Sequence, residues 1–155
     1  MNVALVRKAV VNTVPRMLRV LVRRTEAGMD LRKFLEVSTK HLGLNPCHAP
    51  RGWSWCSWTT FDRLGRDAGY WQAPLPLEVE LLEEYVADGG TWRQPFGYTE
   101  LAHIIVPRCF TWEVISAGAY ESGVHHQDIV GLSERLTAEG IAHRLTDLVL
   151  EVKLY

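Results

Sequence analysis

The last eight residues, Leu148-Val-Leu-Glu-Val-Lys-Leu-Tyr155, decide how the chain folds. Leu148, Leu150, Val152 and Leu154 alternate with Val149, Glu151 and Lys153, and a period of two with one polar set marks a strand that is wet on one face. Working upstream, Ile141 to Thr146 reads as a second strand. Asp128 is a good N-cap for a helix over Ile129 to Glu139, whose Ile129, Leu132 and Leu136 form one stripe before Gly140 closes it. Tyr98 to Val106 and Cys109 to Ser116 are rich in β-branched and aromatic residues, and Pro107-Arg108 between them suggests a hairpin turn. The C-terminal third therefore reads as β-β-α-β-β.

Toward the N-terminus the period changes to 3.6. Val3, Val6 and Val10 give Asn2 to Asn12 a helical face, and Pro15 to Glu26 follows with Leu18, Leu21 and Val22 inward and a stop at Gly28. Asp30 caps a third helix, Leu31 to His41, which places Leu31, Phe34, Leu35 and Val37 near one face and ends at Gly43. Gly43 to Thr59 carries proline, glycine and three tryptophans, so it reads as an irregular connection or a short strand. In an extended chain Trp53 and Trp55 share one side, Cys56 and Trp58 the other. Thr60 to Asp67 suits one or two helical turns. Pro74 and Pro76 lead into a helix over Leu77 to Ala87, with Leu77, Leu81, Leu82 and Tyr85 facing the core and Gly89-Gly90 ending it. The expected fold is α+β: N-terminal helices packed on a C-terminal β-β-α-β-β sheet, antiparallel or mixed. Residues 1–155 form one domain, helical over 1–88 and sheet-containing over 98–155.

Composition narrows the function. The 155 residues are 47% hydrophobic and 23% charged, values of an ordinary folded chain. Seventeen Lys plus Arg against eighteen Asp plus Glu excludes the strongly basic balance of a dedicated nucleic-acid module. Near-neutrality hides an asymmetry: residues 1–40 hold nine basic and three acidic residues (+6), residues 41–155 eight and fifteen (−7). Glu78, Glu80, Glu83, Glu84 and Asp88 gather after Pro76, and on a helix the like charges of Glu80 and Glu84 at i and i+4 would repel. They answer the basic N-terminal helices, form a solvated face, or make an interface for a basic partner, where complementary charge speeds encounter. Cys47, Cys56 and Cys109 are odd in number and widely spaced, which fits reduced thiols in a cytoplasm. Arginines interrupt every apolar tract near the N-terminus, so none reaches the roughly 20 residues of a membrane span.

Candidate chemistry is sparse. His125-His126 is the single histidine pair, and with Asp128 it is the one place where a metal-dependent hydrolase would build its site. Adjacent side chains diverge on regular elements, and no recognised ligand spacing is present. His103 and His143 sit among apolar neighbours and read as core-edge histidines with one hydrogen bond each. Neither a nucleophile elbow nor a phosphate-binding glycine loop occurs. The expectation is no enzyme, no metal and no cofactor. Arg16, Arg19, Arg23 and Arg24 could contact phosphates in a nucleic-acid-binding or phage-encoded regulatory protein, but they occupy more than one side of a helix that needs a core face. Trp53, Trp55 and Trp58 fill the core, anchor an interface or, as a third use less suited to a cytoplasmic chain, stack on a sugar.

Tyr98-Thr-Glu-Leu-Ala-His-Ile-Ile-Val-Pro-Arg108, the helix from Asp128 to Glu139, Gly140-Ile141 and the closing Leu148 to Tyr155 resemble the C-terminal part of bacterial toxin-system immunity proteins of the contact-dependent or polymorphic-toxin type. About the last 60 residues carry the likeness. It implies a cytoplasmic, non-catalytic inhibitor that binds a cognate protein toxin. The residues expected to meet that partner are Glu80, Glu83, Glu84 and Asp88 by charge, with Trp53, Trp55 and Trp58 as anchors. Homodimerisation through the tryptophan stretch is compatible with this reading.

Overall fold

A computed structural model describes residues 30–43, 54–87, 95–116 and 118–155. The two helices read in residues 1–29, together with Cys47, Trp53 and Asp88, lie outside the described residues. The fold is α+β, with a helix on the N-terminal side and antiparallel sheets following it.

Helix α1 runs over residues 30–42. Leu31, Phe34 and Leu35 recur at helical spacing and are completely buried, and Gly43 takes φ +71°, the left-handed conformation that suits glycine beyond a helix end. Strand β1 (Trp55–Thr60) leads directly into α2 (Phe61–Arg66), because the Thr60 hydroxyl accepts from Arg63 N and caps the short helix. Then come β2 (Trp71–Pro74), a 3-10 turn (Glu78–Glu80), β3 (Tyr85–Val86), β4 (Phe96–Gly97), β5 (Leu101–Pro107), β6 (Cys109–Ser116) and β7 (Ala119–His126). Helix α3 (Ile129–Ala138), β8 (Arg144–Leu145) and β9 (Val149–Lys153) complete the chain.

Five strands form the main sheet in the order β2-β1-β5-β9-β8, each neighbour antiparallel. Register assigns the faces. Trp58 stands opposite Ile104 and Trp71, and Ile104 opposite Val152, so these side chains share one face with Val106 and Leu150. That face is the core, covered by Leu31, Phe34 and Leu35 of α1 and Ile129, Leu132 and Leu136 of α3. The two helices run antiparallel: Lys33 pairs with Glu139 at 2.8 Å near one end, and His41 meets Asp128 at 3.1 Å near the other. The opposite face carries Ser57, Thr59, His103, Ile105 and Glu151.

Three expectations change. Strands β1 and β2 fall inside 1–88 and join the main sheet, so that stretch is not wholly helical. The hairpin expected across Pro107-Arg108 does not form: β5 pairs with β1 and β9, while β6 pairs with β7 as a separate two-stranded ribbon. Proline lacks the positive φ of tight hairpin turns, and Gln127 fixes a bend instead. Its side-chain amide donates to Trp55 O and Pro107 O, its carbonyl accepts from Trp55 N, and its backbone N donates to Arg108 O. The third change concerns residues 77–87.

Candidate partner-binding surface

Residues 77–87 form a tight β-hairpin, not the expected helix. Pro74 and Pro76 keep the approach extended, and Glu80 then competes for the backbone that would begin a helix, since its Oε2 accepts from Leu77 N at 2.6 Å. Leu82 N donates to Tyr85 O, Ala87 N donates to Glu80 O, and Leu81 bridges Val86. Leu81 and Val86 are buried, five residues apart, a spacing that closes across a hairpin and not along one helix face. Glu83 and Glu84 are left at the tip, both exposed.

The hairpin continues through β3 pairing with β4, which carries the chain to Tyr98-Thr99-Glu100. Between tip and turn lies an open groove of about 720 Å³ with Glu84 and Glu100 on its walls and Tyr85, Gly97 and Tyr98 between them. Glu100 is oriented by its own loop, Oε2 accepting from Gly97 N at 2.9 Å. The Tyr98 hydroxyl donates to Leu82 O, and burial pushes it up to about 12, so it stays a neutral phenol. Across Thr99 and Glu100 a second hollow of about 460 Å³ reaches Asp62, Arg66 and Trp71. Glu83, Glu84 and Glu100 make no ion pair among the described residues, whereas Glu78 lies 3.8 Å from Lys40 of α1. The groove is acidic, aromatic and open.

The structure separates the other residues expected to meet a partner. Glu80 is 3% exposed and spent on the backbone of Leu77, so it is removed from the interface. Trp58 is 1% exposed, stacked on Trp71 at 4.6 Å and edge-on to Phe96 at 4.4 Å; it is core filling. Trp55 is half-buried on the opposite sheet face, 5.7 Å from Phe110. Of the five of these residues that are described, Glu83 and Glu84 alone are brought together in the open.

The metal alternative is not assembled. His125 and His126, adjacent on β7, point to opposite faces of the ribbon, and His125 lies 5.1 Å from Phe110. Asp128 is occupied as the N-cap of α3, accepting from Gly131 N at 2.9 Å while its other oxygen meets His41. The Gly131 N–H bond is the chief reason its carboxyl is held below the usual carboxylate range. Among the described residues no three His, Cys, Asp or Glu side chains gather as a metal site would require, and no helix is long and apolar enough to cross a membrane.

The reading of His103 as a core-edge histidine with one hydrogen bond missed the polar cluster to which it belongs. His103 is buried and makes two hydrogen bonds, to Tyr70 Oη at 2.7 Å through Nδ1 and to Glu151 Oε2 at 3.1 Å through Nε2. Arg144 holds the other oxygen of Glu151. Burial keeps His103 below the usual histidine range even though Glu151 pulls it upward. Burial pushes Glu151 upward, but the hydrogen bonds from Arg144 and His103 outweigh it, and the carboxyl stays low. The two shifts agree on one state, a neutral imidazole beside an ionised carboxylate. The signal for this cluster was a lone polar residue inside each of two apolar strands, Ala102-His103-Ile104 and Leu150-Glu151-Val152, since buried polar groups need partners.

Comparison with protein-family models, with curated proteins and with solved structures gave no match.

Proposed function

We propose that the chain is a non-catalytic protein-binding protein, an immunity-type inhibitor that neutralises a basic protein toxin by covering it. One observation carries this reading: Glu83 and Glu84 stand exposed at the tip of a hairpin beside the Glu100-lined groove, without a cation among the described residues to answer them. Carboxylates placed so enter an interface without first breaking an internal pair. Their field steers a cationic partner, and Tyr85, 42% exposed at the groove, supplies the flat amphipathic contact that interfaces favour. Like charges side by side in the free protein are relieved when a basic surface arrives.

The test begins with the toxin encoded beside this gene, expressed with and without the chain in a cell that the toxin kills. Protection, together with a complex isolated from the surviving cells, is the expected result. Stopped-flow association of the purified pair then reads the surface: Glu83→Lys with Glu84→Lys should slow association about tenfold and flatten its dependence on salt. An unchanged rate and salt slope would remove the acidic tip from the interface. Absence of protection would overturn the inhibitor reading itself.

A further inference from the structure

Helix α3 ends in a turn that brings the following chain back beside it. Gly140 takes φ +71°, its N–H donates to Thr137 O, and Ile141 N donates to Leu136 O, which seats Ile141 in the core. Two residues further on, His143 lies against Ser133, ten residues earlier in the sequence. It makes two hydrogen bonds where one was expected: Nδ1 meets Ile141 O at 2.8 Å, and Nε2 meets the Ser133 hydroxyl at 2.7 Å. A carbonyl oxygen only accepts, so Nδ1 carries the imidazole hydrogen. In the neutral ring Nε2 is then a lone pair, and the Ser133 hydroxyl donates to it. The direction of that bond sets Ser133 apart. Thr39, Thr59 and Thr137 give their hydroxyl protons to carbonyl oxygens, of Pro76, Gly69 and Ser133, which do not take up a proton near neutrality. Ser133 gives its own to a base. A hydroxyl bonded to an imidazole whose other nitrogen is fixed by a third group is the arrangement that activates a serine as a nucleophile. Both residues are half-buried, so each keeps part of its surface in solvent.

We propose that Ser133 is an acyl-accepting site, with His143 as its base and a thioester as the donor. The Ser133 oxygen attacks the thioester carbonyl: the Oγ–C bond forms, the C–S bond breaks, and the Oγ proton passes to Nε2 and leaves on the thiol. The positive charge that His143 holds in passing is met by Ile141 O at the Nδ1–H. A thioester is the fitting class because both hydrogens of the pair are committed, one to Ile141 O and one to Nε2. The pair keeps no donor for a developing oxyanion, so the carbonyl must already be activated by its leaving group. Amides and ordinary esters fall outside its reach. The product is one seryl ester on α3, a stoichiometric modification without turnover. It uses no residue of the acidic groove and is compatible with a protein whose groove only binds.

Incubating the purified full chain with S-phenyl thioacetate at neutral pH, then mapping acetyl groups by proteolysis and mass spectrometry, tests this. Ser133 should be acetylated about a hundredfold faster than Ser122, an exposed serine of β7 that serves as the internal reference. The side-chain carbonyl of a glutamine still accepts the hydroxyl but cannot hold its proton, so His143→Gln should bring Ser133 down to the rate of Ser122. Unfolding the parent chain in urea should level the two serines as well, a result that needs no variant to fold. Glu83→Lys with Glu84→Lys should leave the preference for Ser133 unchanged, which separates this site from the groove. Equal labelling of Ser133 and Ser122 in the folded chain, a Ser133 rate indifferent to His143→Gln, or a preference that survives urea would each overturn the proposal.

Discussion

Replacing Asp128 by alanine separates structure from chemistry at the one place where the sequence allowed a metal. Asp128 caps α3 through Gly131 N at 2.9 Å and touches His41 at 3.1 Å. Losing an N-cap to alanine costs about 1 kcal/mol. The exposed His41 contact adds about 0.5 kcal/mol, within the range of surface pairs. The total of about 1.5 kcal/mol corresponds to a fall in Tm of about 3–6 °C for a chain of this size. Helix α3 supplies the completely buried Ile129, Leu132 and Leu136, so fraying at its start loosens the core and is felt globally. Differential scanning calorimetry at pH 7, with and without zinc chloride, is the assay. Asp128→Asn, which still caps, should recover most of the loss. A Tm unchanged by Asp128→Ala, or zinc stabilising the parent chain and not the variant, would refute the capping account and restore a metal site.

Trp58→Ala should cost about 3–5 kcal/mol, because a side chain wedged between Trp71 and Phe96 leaves a cavity; urea unfolding reads it, and a loss below 1 kcal/mol would contradict its place in the core. Gly123→Ala should loosen the ribbon, since an added Cβ would lie 2.7 Å from the Trp112 indole; faster amide exchange in β6 and β7 with α1 and α3 unchanged is the expected pattern. Acid should destabilise the protein in two stages. His103 is held below its unfolded value near 6.5, so the unfolded chain binds the proton first, and stability present in full above that value is lost as pH falls from it through the lower folded value. Asp128 and Glu151 are held below their ordinary carboxyl values, so their contribution is present above about 4.5 and disappears as pH falls through their folded values. The urea midpoint should therefore decline as pH falls below about 6.5, and His103→Asn should flatten that decline.

What the sequence disclosed depended on burial. The closing strand was legible because Leu150 and Val152 are driven inward, and α3 because Asp128, three buried side chains and Gly140 agree on both ends and one face. The two sides of β1 were legible for the same reason: Trp58 and Cys56 are core, Trp55 is not. Residues 77–87 misled because leucines at helical spacing were weighed without the Glu80 carboxylate, which folds back on Leu77 N. Strand β7 was invisible, since Ala-Tyr-Glu-Ser-Gly-Val-His-His has no buried face to impose alternation. The His103 cluster rests on register: Glu151 stands opposite Ile105, and nothing along the chain states which residue of β9 reaches which of β5. The acidic groove was half legible, with Glu83 and Glu84 visible as charge and Glu100 hidden until β4 brought the turn beside them.

The β6–β7 ribbon stands apart from the main sheet with Ile115 79% exposed and Tyr120 61% exposed on its outer face. Such a surface invites other strands to stack or add onto it. Each of its strands carries one carboxylate, and the register puts Glu113 and Glu121 on opposite sides. Any incoming strand, on either side, must accommodate a carboxylate, so the same two residues that make the ribbon unremarkable as sequence act as gatekeepers against fibrous growth.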